Sequence, residues 1–98
     1  MIVECSSERV QLADPLNFHR FKLVLKGGAS FEARSWQGIT FLDDHNALVS
    51  IDLVRALRER PDDKTWAPAF AEMVGKARRH GWIDTKTHAI RAHVECEP

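Results

Sequence analysis

The chain has 98 residues, 44% of them apolar, and its 14 Lys plus Arg are balanced by 14 Asp plus Glu. That length gives one domain with one core, and zero net charge speaks against a general polyanion binder and against an acidic solvating segment. Cys5 and Cys96 form no CxxC pair, MIVECSSERV lacks the basic start and apolar run of a signal peptide, and no apolar run approaches the roughly 20 residues of a membrane span. The expectation is a soluble cytoplasmic protein with free thiols and no membrane partner.

Residues 2–5, IVEC, predict a first strand. Residues 6–17, with serines, Asp14-Pro15 and Asn17, predict a loop. Phe21, Leu23 and Leu25 then alternate with Lys22 and Lys26, which is the period of a strand, although Asp14-Pro15 and Gly27-Gly28 would also bracket a helix. The strand is favoured because a three-residue loop, Lys26-Gly27-Gly28, sets Leu25 against Ala29, Leu23 against Phe31 and Phe21 against Ala33. Gln37-Gly38 marks a further turn and residues 39–42, ITFL, a third strand of a meander. Asp43-Asp44-His45-Asn46 reads as a turn and residues 47–49 as a short extended piece.

Ser50 is placed to cap a helix over residues 51–60, with Asp52 in its first turn and Pro61 ending it. The strongest signal in the chain is residues 65–82, TWAPAFAEMVGKARRHGW. Thr65 is the expected N-cap, and Pro68 falls in the first turn, where a missing N–H is harmless. Trp66, Phe70, Met73, Val74 and Ala77 make one apolar stripe. Arg78, Arg79 and His80 suit the carbonyl end, Gly81 the left-handed stop, and Trp82 an apolar contact in the core. Gly75, in mid-helix, points to a close backbone crossing. Residues 84–87 form a turn before a last strand over 89–96, with Ile90, Ala92, Val94 and Cys96 inward and Arg91, His93 and Glu95 outward. The order predicts a single α+β domain over residues 1–98. It would have an antiparallel meander of about four to five strands and two helices packed on one face.

Several residue groups carry candidate chemistry. His80, His88, His93, Cys96 and Asp84 are of metal-binding types, but His93 and Cys96 on one strand face opposite sides, so neither metal nor cofactor is expected. Each cysteine neighbours a glutamate, which raises a thiol pKa and disfavours a thiol enzyme. Lys26-Gly27-Gly28 lacks the glycine spacing of a phosphate loop. Asp43, Asp44 and His45 would form a small-ligand or enzymatic pocket if folded inward, although turn chemistry accounts for all three. Helix 66–80 followed by a hairpin over 82–96 resembles, in topology alone, the last part of a winged helix. That resemblance implies Lys76, Arg78, Arg79 and Lys86 as phosphate contacts. Trp36 falls with Glu32 and Arg34 on the polar face of the expected hairpin, the make-up of an interface anchor with a charged rim. The first expectation is therefore a non-enzymatic module that binds another protein or a second copy of itself, as in a homodimer. Winged-helix-like nucleic-acid binding is the alternative, and the pocket at Asp43 to His45 is the third reading.

Overall fold

The structure, a computed structural model, describes residues 1–6, 9–26, 36–57, 61 and 63–97. The elements follow in the order β1 (Ile2–Cys5), β2 (Val10–Ala13), β3 (Lys22–Leu25), β4 (Ile39–Phe41), β5 (Asn46–Ser50), α1 (Ile51–Ala56), α2 (Asp63–Arg79), β6 (Ile83–Asp84) and β7 (Ala89–Cys96). The strands form one sheet in the order β2-β1-β3-β7-β5-β4, with β6 added beside β7. Pairings β1–β3 and β3–β7 are parallel, and the others are antiparallel. An α+β arrangement is what the element order predicts, but the antiparallel meander is not what forms. The sheet is mixed and has seven strands.

The difference originates in β3. Both of its hydrogen-bonding edges are occupied, one by β1 and the other by β7. It is a central strand and not one arm of a local hairpin; residues 29–33, the other arm expected, lie outside the described residues. Leu23, Val24 and Leu25 are all buried, the continuous apolar run of a strand covered on both faces. On one face Leu23 and Leu25 join Val3, Cys5, Val49, Ile90 and Val94 in the main core. On the other, Val24 has Glu4 and Glu95 as cross-strand neighbours. These carboxylates meet Lys26 at 3.1 Å and Lys22 at 2.8 Å, and Lys26 also meets Glu97 at 3.1 Å. Lysine stems can lie over apolar surface while their heads stay in water. Residues 6–17 are also more than a loop. Val10–Ala13 pairs with β1, and Leu12 is buried in the core.

Ser50 does cap α1: its hydroxyl accepts from the Leu53 N–H at 3.2 Å. That helix stops at Ala56, short of the expected residue 60, and Leu57 is already extended. Helix α2 starts at Asp63, so Thr65 lies inside it and not at its cap, and Pro68 stands beyond the first turn. The apolar stripe is as the spacing predicts: Trp66, Phe70, Met73, Val74 and Ala77 are all buried against the sheet's inner face. Trp66 and Phe70 stack at 4.8 Å with planes 9° apart, and the Trp66 indole N–H donates to the Pro15 carbonyl at 2.9 Å. At the far end, the N–H of Trp82 donates to Ala77 O at 2.9 Å and that of Gly81 to Arg78 O at 3.1 Å. This bond pair closes a helix around a left-handed residue, here Gly81 with φ 77°. Two expectations about this helix fail. A Cβ on Gly75 would meet nothing within 4 Å among the described residues, so none of them crosses there. Trp82, expected in the core, is 52% exposed, because the helix stop turns the chain away from the sheet's inner face. Cys96, expected inward, is exposed beyond Val94, the last core residue of β7. No helix among the described residues is long and apolar enough to cross a membrane.

Candidate functional site

Strand β7 is longer than the strands beside it, and this length creates a gap. One of its edges is paired with β5 from Ala89 to His93. The opposite edge is shared: β6 covers Ala89 and Ile90, and β3 covers His93 to Cys96. Between those two strands the Arg91 N–H still reaches the Trp82 carbonyl at 2.8 Å, and the sheet opens at Ala92. A groove of about 480 Å³ lies at this gap, within the usual range for small-molecule sites.

The groove has an apolar floor and a basic rim. Met73 and Ala77 of α2 and Ile90 and Ala92 of β7 supply floor atoms, and all four are buried. Phe18 and Phe21 close one side from the segment leading into β3. That segment is held by the Met1 amine, which donates to the carbonyls of Asn17 and Arg20. Around the rim stand His19, Lys76, His80, Arg91 and His93, with Asn46 opposite His93 on β5. Among the described residues, no carboxylate lines the groove. The His80 and Trp82 rings stack at 4.8 Å and 23°, so His80 covers one face of the half-exposed indole, and both residues line the groove.

The hydrogen bonding of the rim is incomplete. The side chains of His19 and Arg91 make no hydrogen bond or ion pair among the described residues, and the Trp82 indole N–H has no acceptor among them. The other two indoles differ: Trp36 donates to the Ser6 carbonyl and Trp66 to that of Pro15, both at 2.9 Å. Two acidic neighbours stand beside the ring of bases. Glu72 is one turn before Lys76, at 3.8 Å and well exposed. Glu95 is engaged by Lys22, and that contact, with its charge, holds the Glu95 carboxyl below its usual range.

The sites expected from the sequence are distributed differently. Trp36 is half-buried against the core, 6.2 Å from the Phe41 ring, and not displayed on an open sheet face. Glu32 and Arg34 lie outside the described residues. Asp43, Asp44 and His45 are exposed in the β4–β5 turn and do not line the groove. Asp43 accepts from the His45 N–H at 2.7 Å and from the Asn46 amide at 3.1 Å, and these bonds lower its pKa. Lys76, Arg78, Arg79 and Lys86 are all exposed. Helix α2 and the β6–β7 hairpin do follow one another, but β7 also pairs with β3 and β5, so its hairpin is embedded in the sheet. The histidines weighed as metal ligands separate: His80 and His93 reach the groove, whereas His88 is in the turn after β6 with φ 53°. Among the described residues, no group of three or more His, Cys, Asp or Glu is gathered as metal ligands would be.

Sequence reading missed the groove because His19, Arg91 and Trp82 each have an ordinary local explanation. The one signal available was the row of outward basic residues on β7, Arg91 and His93, next to a helix end rich in bases. No family model, no curated protein and no solved structure matches this chain.

Proposed function

We propose that the chain is a small-ligand-binding module whose site is the groove at the gap along β7. The observation that supports this most is the exposed Trp82 ring beside an apolar floor, with the His19 and Arg91 side chains and the Trp82 indole N–H lacking hydrogen-bond or ion-pair partners among the described residues. A soluble domain seldom leaves an aromatic ring and several convergent donors around one concavity without use. The earlier acidic pocket at Asp43 to His45 has weaker support, since Asp43 is engaged in its own turn. A partner surface centred on Trp36 and nucleic-acid contacts through Arg78, Arg79 and Lys86 have no observation of comparable weight behind them.

A library of small flat molecules, screened by ligand-observed NMR against the intact chain and against Trp82→Ala, tests the reading. Trp82 is half out of the structure and, among the described residues, its ring stacks on His80 alone, so its removal should leave the thermal melt nearly unchanged. Hits should appear with the native chain and fade with the variant. A library without hits, or hits indifferent to Trp82, would contradict the proposal.

A further inference from the structure

We infer that the ligand of this groove is a flat organic anion, a ring bearing a carboxylate or phosphate, and this inference rests on the small-ligand reading above. The charge around the groove is one-sided although the whole chain is neutral. Lys76 and Arg91 carry positive charge, and His19, His80 and His93 add ring N–H donors, while no acidic side chain among the described residues lines the cavity. Arg91 has no counter-ion among the described residues. Its guanidinium is a planar fork suited to two oxygens of one anionic group.

The remainder of the groove selects the rest of the molecule. The Trp82 ring, stacked by His80 on one face, offers a flat apolar surface whose N–H has no acceptor among the described residues, and Phe18 and Phe21 add apolar lining. A ring stacked on Trp82 would direct its anionic substituent toward Arg91, the cross-strand neighbour whose backbone N–H donates to the Trp82 carbonyl at 2.8 Å. Cationic ligands meet Lys76 and Arg91 in the lining, with Glu72 and Glu95 outside it. Neutral rings gain the stacking but leave the Arg91 fork without an acceptor.

Four probes with one ring system separate the cases: 2-naphthoate, 2-naphthyl phosphate, neutral 2-naphthamide and the cation 2-naphthylmethylammonium. Each is titrated into the full chain by amide chemical-shift mapping at constant ionic strength. At least one anion should bind about tenfold or more tighter than the amide, as expected for a charge-assisted bond replacing a neutral one, and the cation should bind least. Comparison of the two anions tells carboxylate from phosphate. Arg91→Gln should reduce anion binding and leave the amide unchanged. An amide that binds as tightly as both anions, or anion binding untouched by Arg91→Gln, would overturn the ligand class while the groove remained a site. Failure of all four probes to shift the groove amides would overturn the groove reading and this inference together.

Discussion

Cys5 shows how strongly one position can be governed by its surroundings. Its thiol is fully buried in β1, and burial alone pushes its pKa up to about 12 from 9.0. A neighbouring glutamate in sequence suggested a raised value, but the cause is desolvation of the thiolate. Because the folded state holds this proton more tightly than the unfolded chain, its contribution to stability is complete below about pH 9 and is lost as the pH rises towards 12. The stability difference between the native chain and Cys5→Ala, followed by urea melts, should therefore shrink across that window. A difference that is flat or grows with pH would contradict a buried neutral thiol. Trp36 teaches the complementary lesson. An aromatic beside Glu32 and Arg34 looked like a surface anchor only if the hairpin register held. With its N–H bound to Ser6 and its ring near Phe41, it closes the core's margin instead.

At the scale of elements, the helices were the most legible part. The stripe on α2, the Ser50 cap of α1 and the Gly81 stop are written in local spacing, and local physics suffices to place them. Ends were harder: α2 begins at Asp63, two residues before Thr65, and helix boundaries are the part of an element that local capping signals locate least well. Gly75 has no structural use that the surroundings reveal. Gly75→Ala should raise stability by about 1 kcal/mol, since the new methyl enters open space and the helix gains propensity. Denaturant melts showing a loss would mean that something does approach this face of α2. The strands were legible singly and not in their pairing. Alternation identified the β3 and β7 regions, but the parallel ladder between them joins segments far apart in the chain, which no local turn signal encodes. The run Leu23-Val24-Leu25 was the available clue, because three consecutive buried residues suit a central strand better than a hairpin arm.

At the scale of the whole molecule, the candidate site is a product of that unlocal pairing. Lys22 stands opposite His93 across the β3–β7 ladder, and this brings Phe18, Phe21 and His19 beside a strand more than half the chain away. Each basic residue on the rim reads locally as ordinary: an outward strand position, a loop histidine, a helix C-terminus serving its dipole. Only their convergence around Trp82 is unusual. The central claim is that Trp82 stands exposed among positive and donor groups, and differential quenching of tryptophan fluorescence tests it most directly. With ionic strength held constant, iodide should quench the native chain much more strongly than caesium, and Trp82→Phe should remove most of the iodide-sensitive emission. Equal quenching by the two ions, or iodide quenching that persists in Trp82→Phe, would contradict the account.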